Sequence, residues 1–150
     1  MEMSVVVAAA ASRGELESIT RRWMSLWSRY DPELADELHD PGFVDHAPDG
    51  RGCDLASFKS GIVALYAAFP DFTANLGFLV VDEVSATVAV SWSGAATHQG
   101  EFMGFAPTRA QIRFVGAEII RIEKGRIRER WGEWNGASIL AQLEEAASRR

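Results

Sequence analysis

The sequence has little of the chemistry that metals and cofactors require. Cys53 is the only cysteine, and there are three histidines in 150 residues, so an intrachain disulfide and a cysteine metal cluster are both excluded. A P-loop, a GxGxxG turn, an HExxH helix and a GxSxG elbow are all missing; these short motifs mark nucleotide, metal or serine-hydrolase chemistry. The sequence therefore predicts a protein that uses no metal and no cofactor.

Excess positive charge and long apolar runs are also missing. The formal net charge is -6 and the pI is near 5.1, which argues against a nucleic-acid surface. The apolar run within residues 1–12 is too short to cross a bilayer, and it carries Glu2 without an early basic residue, unlike a signal peptide. We interpret residues 1–12 as an N-terminal extension. We expect no nucleic-acid or membrane partner, and the single cysteine fits the cytoplasm.

Helical spacing dominates the first half of the chain. Ser12 and Glu15 form a capping box ahead of apolar residues spaced three and four apart, which predicts a long helix to about Tyr30. A later helix has Asp54 at its N-cap position. The further helices are predicted at 31–39, at 54–69 and around 139–143.

The period changes to two after Phe72, which indicates strands. Strands are predicted at 72–81, 86–95, 96–105, 111–122 and 126–134, with a short extended piece at 43–47. Leading helices followed by a run of strands are typical of an α+β domain. We therefore predict a single domain over 1–150, in which a curved antiparallel sheet packs as a cone on the N-terminal helices and leaves a pocket between the two layers.

The last strand contains the most informative pattern. Gly125 supplies the positive φ of a tight turn, and side chains beyond it alternate between two faces. Because three alternating arginines need water or counter-charges, their face is expected outside. The expected outer residues are Arg126, Arg128 and Arg130, and the expected inner residues are Ile127, Glu129, Trp131 and Glu133. A carboxyl beside tryptophan tends to have a raised pKa, which suits acid–base work near neutral pH. Glu129 is more readily interpreted as the partner of an arginine, whereas Glu133 lies nearer the strand end, where sites usually open.

Four other polar residues lie among apolar ones. His98 is expected to point inward, either as a proton donor or acceptor or as a core histidine bound to a carbonyl. Either Asp45 or His46 faces inward, and the segment is too short to decide between them. Glu118 shares a face with isoleucines, and it is interpreted as the ion-pair partner of an arginine in the last strand rather than as a catalytic group.

Apolar side chains are expected on both sides of the sheet. On the 111–122 strand, Val115, Ala117 and Ile119 would form an exposed stripe between Arg113 and Arg121, which predicts a homodimer or higher homo-oligomer. The predicted pocket wall consists of Trp23, Trp27, Trp92, Trp131, Phe102 and Met103.

Several sequence blocks resemble one known family. They are FVDHAP at 43–48, FPDF at 69–72, THQGEFMGFAPT at 97–108, VGAEIIRIEKGRIRERW at 115–131 and ILAQL at 139–143. In this order they are similar to the SnoaL-like polyketide cyclases, over roughly residues 22–143. The resemblance implies the cone-shaped fold of the nuclear-transport-factor superfamily, dimerisation, and ring closure by intramolecular aldol condensation without metal or cofactor.

The resemblance also implies site residues. Glu133 followed by Trp134 best matches the acid–base aspartate and tryptophan of the family, and His98 matches the family histidine. The glutamate replaces an aspartate and needs a one-residue shift in alignment; without the shift, the matching position is Gly132. Many relatives also carry aspartate where this chain has Asn135.

These observations together predict a cyclase or isomerase. It would close a ring on a polyketide-like or similar hydrophobic, oxygenated small molecule in secondary metabolism, with Glu133 and His98 as catalytic groups. The alternatives are a non-catalytic binding protein and a cofactor-free hydroxylase or epoxide-opening cyclase. The residues expected to contact the ligand are His46, Asp45, Trp92, Phe102, Trp131, Glu129 and Trp27.

Overall fold

The computed structural model describes residues 10–46 and 50–149, so most of the predicted N-terminal extension lies outside the described residues. The helices are α1 (Arg13–Met24), α2 (Leu34–Leu38), α3 (Leu55–Ala68) and α4 (Gly136–Ser148). The strands are β1 (His39–Asp45), β2 (Thr73–Asp82), β3 (Thr87–Thr97), β4 (Gln111–Glu123) and β5 (Arg126–Trp134).

Local side-chain hydrogen bonds start two of the helices as predicted. The Glu15 amide donates to Ser12 Oγ at 3.2 Å, and the Ser57 amide donates to Asp54 Oδ1 at 2.8 Å. Each bond satisfies an amide that has no partner within its own helix. The first helix is shorter than predicted, because α1 ends at Met24 and tightens into a 3-10 turn over Ser25–Trp27.

The sheet has the strand order β1-β5-β4-β3-β2. The four later strands pair antiparallel, and β1 adds at the edge, parallel to β5. The turn between β4 and β5 has positive φ at Lys124 and Gly125, as a tight hairpin requires. The helices cover the inner face, so the predicted α+β class with a curved sheet on helices is confirmed.

The predicted strand at 96–105 is wrong. β3 runs on to Thr97, and the chain then leaves the sheet because the amides of Gln99 and Gly100 donate to the carbonyl of Ala68 at the end of α3. Within the loop, Phe102 and Phe105 exchange two backbone hydrogen bonds around a turn. The alternating pattern in this stretch therefore belongs to a loop held against α3.

Aromatic rings fill the space between the helices and the sheet. Phe114 of β4 makes edge contacts with Phe69 and Phe72 at centroid distances of 5.1 Å each. Farther along the sheet, Ile120 and Ile127 are fully buried. Burying apolar area of this kind is the main favourable contribution to folding, and it fixes which face of each strand points inward.

A β-bulge at Arg128 sets the residues that β5 presents inward. Arg121 pairs with Glu129 and Ile122 pairs with Ile127, so Arg128 has no residue opposite it on β4. One extra residue reverses the alternation beyond it. Ile127 points inward as predicted, but the expected faces of the residues after the bulge are wrong. The inward residues are Arg130, Gly132 and Trp134, and the outward residues are Glu129, Trp131 and Glu133.

Candidate active site

A cavity of about 690 Å³ lies between the inner face of the sheet and the helices. This volume is within the range of small-molecule sites, which is about 300 to 1,000 Å³. The wall includes side chains of α3, β3, β4 and β5. Among the lining residues are Trp27, Arg51, Phe58, Ile62, Leu65, Phe72, Trp92, Phe102, Met103, Glu118, Arg130, Gly132, Glu133 and Trp134.

The side chains of Arg51, Asp45, Arg130 and Glu118 form a continuous chain of ion pairs along this cavity, here called the inner ion-pair chain; Asp45 and Glu118 are buried, and the Arg51 side chain is half-buried. Arg51 Nη2 donates to Asp45 Oδ2 at 2.7 Å, and Arg130 Nη1 donates to both Asp45 oxygens at 3.0 and 3.1 Å. On its other side, Arg130 donates from Nε to Glu118 Oε2 at 2.9 Å and from Nη2 to Oε1 at 3.2 Å. The predicted pairing of Glu118 with an arginine of the last strand is therefore found in the structure.

Burial sets the electrostatics of the inner ion-pair chain. The Glu118 residue is 5% exposed, and burial raises the pKa of its carboxyl even though Arg130 and Trp92 both donate to it. Burial alone would lower the pKa of Arg130, but the attraction of Glu118 and Asp45 outweighs it and raises that pKa. Glu118 is thus a carboxyl whose ionisation is costly, held beside a guanidinium that stays charged.

Two glycines make room for these side chains. Gly132 lies directly opposite Glu118, and a Cβ at Gly132 would overlap the Glu118 carboxylate and the Arg130 guanidinium. A Cβ at Gly116 would likewise overlap the indole ring of Trp92. The absence of these two side chains lets the carboxylate, guanidinium and indole lie flat across the sheet.

Glu129 and His46 belong to a second group on the other face of the sheet, here called the outer cluster and made of His46, Glu129, Arg121 and Trp131. His46 Nε2 lies 3.1 Å from Glu129 Oε1, Arg121 Nε donates to Glu129 Oε2, and the His46 ring stacks on Trp131 at 4.6 Å. Hydrogen bonds from Arg121 and His46 lower the pKa of Glu129. The interpretation of Glu129 as an arginine partner agrees with these contacts.

His98 is buried, as predicted from its strand parity. Its Nδ1 accepts from the Thr108 amide at 3.2 Å and lies 3.0 Å from Thr108 Oγ1, while its ring packs on Phe69. His98 is not among the residues that line the cavity. These contacts make it an anchor of the loop between β3 and β4.

A third histidine, His39, lies under the site. Its Nδ1 donates to the Ala35 carbonyl at 2.7 Å, and its Nε2 accepts from Trp23 Nε1 at 3.0 Å. This pattern is that of a neutral imidazole with the proton on Nδ1. Burial is the main reason that the pKa of His39 falls to about 4.

The residues expected to contact a ligand lie in two different places, some at the cavity and others on the outer face of the sheet. Trp27, Trp92 and Phe102 line the cavity, and Glu133 lies at its rim with an exposed side chain. Asp45 faces inward and supports the lining arginines, whereas His46, Glu129 and Trp131 lie on the outer face. Their roles in binding or catalysis stay predictions.

Sequence reasoning missed two of the lining residues. Alternation alone predicts Arg130 on the outside, because the bulge leaves no trace in the order of Arg128, Glu129 and Arg130. Arg51 follows a turn-rich segment without any period. The one usable signal was Glu118, an acid on an apolar strand face that required a buried cation.

In residues 10–46 and 50–149, no group of three or more His, Cys, Asp or Glu side chains is placed to hold a metal ion. None of the helices in the same ranges is both long and apolar enough to cross a membrane.

The chain is similar in sequence to one known protein family. The sequence profile of the SnoaL-like polyketide cyclase family matches residues 17–143. No curated protein sequence matches the chain significantly.

Many solved structures are similar to this chain. One is AclR, a candidate hydroxylase from Streptomyces galilaeus, which is 25% identical with a TM-score of 0.80 over 89% of this chain and 83% of its own. A candidate polyketide cyclase from Acidithiobacillus ferrooxidans is 25% identical with a TM-score of 0.76 over 96% and 99% of the two chains. IdmH, a candidate polyketide cyclase from Streptomyces antibioticus, is 27% identical with a TM-score of 0.75 over 86% and 98%.

Proposed function

The chain belongs to the SnoaL-like polyketide cyclase family, and on that premise we propose that its cavity closes a ring on a polyketide-like or similarly hydrophobic, oxygenated small molecule by acid–base chemistry without a cofactor. One observation carries the proposal. Among residues 10–46 and 50–149, the buried carboxyl that lines the cavity is that of Glu118, whose pKa is raised by burial and which lies against a charged guanidinium. An acid–base group works best when its pKa is near the operating pH.

The proposed reaction begins with proton removal. Glu118 takes a proton from a carbon next to a ligand carbonyl, and the electron pair of that C–H bond moves to the carbonyl oxygen to give an enolate. The enolate carbon then forms a bond to the carbon of a second carbonyl group, whose oxygen becomes an alkoxide. Glu118 returns its proton to that alkoxide, so atoms and charge balance and the product is an isomer of the substrate.

In the proposed reaction, Arg130 stabilises the charge that develops. Its guanidinium lies within hydrogen-bond distance of the Glu118 carboxylate, so an enolate formed there would be close to a fixed positive charge. Stabilisation of this kind by one positioned donor typically contributes about 10²- to 10³-fold to a rate. Trp92 donates to Glu118 Oε1 at 3.3 Å and holds the carboxyl in place.

The catalytic assignment is testable against the one predicted from sequence, Glu133 with His98. Proton removal is measured as exchange of the α-protons of an aryl-substituted 1,5-diketone into D₂O by NMR, and ring closure by mass-balanced chromatography. Glu118→Gln should reduce both rates by about 10²- to 10⁴-fold, and Glu133→Gln and His98→Gln should retain most activity. The opposite ranking would assign the proton transfer to Glu133.

Hydroxylation is a second candidate function, and the similarity to AclR favours it. A hydroxylated product would be heavier than its substrate by one oxygen atom, whereas ring closure gives an isomer or a product that has lost water. Mass spectrometry of the product therefore separates the two. A protein that only binds its ligand would return the diketone unchanged.

We also propose a homodimer that pairs through the outer face of the sheet. Val115, Ile119 and Trp131 are 51%, 43% and 39% exposed there, and Arg113 and Ala117 share the face as predicted. Covering such apolar area favours association. Light scattering at micromolar concentration should give twice the mass of 16.5 kDa, and a monomeric mass would contradict the proposal.

The proposed setting is secondary metabolism in the cytoplasm. The likeness to IdmH, a candidate polyketide cyclase from Streptomyces, supports the first part, and the single free Cys53 supports the second. Genes for polyketide chain assembly beside the gene for this protein would strengthen the assignment.

A further inference from the structure

Resting on the proposed function, we propose that the ligand of this cavity carries a carboxylate and that Arg51 binds it, so that the acidic end of the ligand lies at Arg51 while its reacting carbon lies at Glu118. Arg51 lines the cavity and is not part of the acid–base step.

Arg51 retains hydrogen-bonding capacity. A guanidinium has five N–H donors, and among residues 10–46 and 50–149 the side chain of Arg51 donates only to Asp45. Its Nε is buried without a hydrogen-bond partner in the described residues, while the side chain as a whole is 30% exposed. A guanidinium that is only partly paired at the wall of a cavity is well suited to a planar anion, which accepts two parallel hydrogen bonds from it.

The two ends of the inner ion-pair chain carry opposite charges. Its charges alternate in the order Arg51, Asp45, Arg130, Glu118, and each neighbouring pair is joined by hydrogen bonds. The Asp45 carboxylate is shared by two guanidinium groups, so the Arg51 end is positive, and the Glu118 end is negative. An anionic group is therefore attracted to Arg51 and repelled from Glu118. This polarity would admit an acidic ligand in one orientation.

Neighbouring residues shape the position of Arg51. Its Cζ lies 6.0 Å from the centroid of the Phe58 ring, and a Cβ at Gly61 would lie 3.3 Å from its Nε. Phe58 supplies a flat apolar surface and Gly61 leaves space on α3, so the guanidinium is held against the helix. A positioned guanidinium loses less freedom on binding than a mobile one.

The test compares two naphthalene probes of similar shape, 2-naphthoate and its neutral analogue 2-acetonaphthone, by calorimetric titration of the full chain. The wild type should bind 2-naphthoate about tenfold more tightly or better, since a hydrogen bond to a charged group is roughly twice as strong as a neutral one. Arg51→Met should reduce that preference to less than about twofold and leave the Kd of 2-acetonaphthone within about threefold, and Arg51→Lys should keep part of the preference.

Arg126→Met is the matched control, because Arg126 is exposed at the start of β5 and outside the cavity; it should keep the full preference. Circular dichroism of each variant shows that the fold is retained. A wild type that binds the two probes equally, that binds neither at millimolar concentration, or whose preference survives in Arg51→Met would overturn the proposal. The same titration with Glu118→Gln measures the preference in a variant without the proposed base, so failure of the carboxylate assignment is distinguishable from failure of the catalytic one.

Discussion

The same three strands carry two charged clusters on opposite faces of the sheet. Each cluster takes one residue from the end of β1 or the position just after it, one charged residue from β5 and one from β4. The inner set is Asp45, Arg130 and Glu118, with Arg51 from the following turn, and the outer set is His46, Glu129 and Arg121. The two sets use neighbouring residues and the same ion-pair chemistry, and they differ in burial.

That difference reverses the behaviour of the two glutamates. At Glu118, burial outweighs the hydrogen bonds from Arg130 and raises the pKa. At Glu129, whose side chain is 24% exposed, the bonds from Arg121 and His46 outweigh burial and lower the pKa. Ion pairing by itself therefore does not prepare a carboxyl for proton transfer; the apolar surroundings of the inner face do.

Removing the shared cation should give the largest effect. Arg130→Met leaves Asp45 and Glu118 buried without their common partner, and breaking a buried pair in this way costs about 3 to 5 kcal/mol. Arg121→Met on the outer face is the matched control and should cost about 1 kcal/mol or less. Urea denaturation of both variants measures the difference, and equal losses would show that burial does not distinguish the clusters.

Acid should destabilise the fold through His39. The pKa of His39 in the folded protein is about 4, below the ordinary 6.5, so His39 takes up a proton more readily when the chain is unfolded. Folding stability should therefore fall as pH drops from about 6.5 to 4, by up to about 3 kcal/mol from this group. The loss should disappear in His39→Gln and persist in His46→Gln. Denaturation midpoints across that range measure it.

A methyl group at position 132 should disturb the inner ion-pair chain and not the outer cluster. In Gly132→Ala the new Cβ would overlap Glu118 and Arg130, and forcing atoms into a packed site costs about 1 to 3 kcal/mol. Gly14→Ala is the control, because nothing lies within 4 Å of its added Cβ in α1, and there alanine should stabilise the helix by about 0.5 to 1 kcal/mol. Thermal melts would contradict this interpretation if both variants shifted in the same direction.

The smallest expected effect is on how stability depends on pH, where Glu118 and Glu129 should contribute slopes of opposite direction. Because the pKa of folded Glu118 lies above 4.5, its contribution to stability should fall as pH rises through the window between 4.5 and that pKa. The pKa of folded Glu129 lies below 4.5, so its contribution, under about 1 kcal/mol, should be lost as pH falls below 4.5. Subtracting the profiles of Glu118→Gln and Glu129→Gln from the wild type gives the two slopes, which should have opposite directions.

Sequence reasoning succeeded where a single local rule applies. The Ser12 and Asp54 caps depend on hydrogen bonds that span three residues, and the pairing of Glu118 depends on the unbroken alternation of β4. The exposed stripe on β4 follows from the same alternation. These parts of the fold are decided by the spacing of apolar residues.

The site was harder to predict because its residues depend on contacts between strands. The register of β5 against β4 changes at Arg128, and nothing in the segment from Arg126 to Trp134 departs from simple alternation. A bulge is specified by how both strands pack, so reading one strand alone assigned Arg130 and Glu133 to the wrong faces. Arg51 lines the cavity and donates a hydrogen bond to Asp45. No periodic pattern in the sequence predicts this contact.

The extra residue in β5 also has a consequence for how the cavity can change during evolution. A bulge is the structural form of a one-residue insertion, so a chain without residue 128 would pair as a regular strand and still present the side chains of Arg130, Gly132 and Trp134 to the cavity. Deletion of the codon for residue 128 would therefore leave the residues that β5 presents to the cavity unchanged. Loss of the codon for Glu133 would instead turn Trp134 outward. Beyond the bulge, a single deletion can therefore give the cavity new chemistry without altering any remaining side chain.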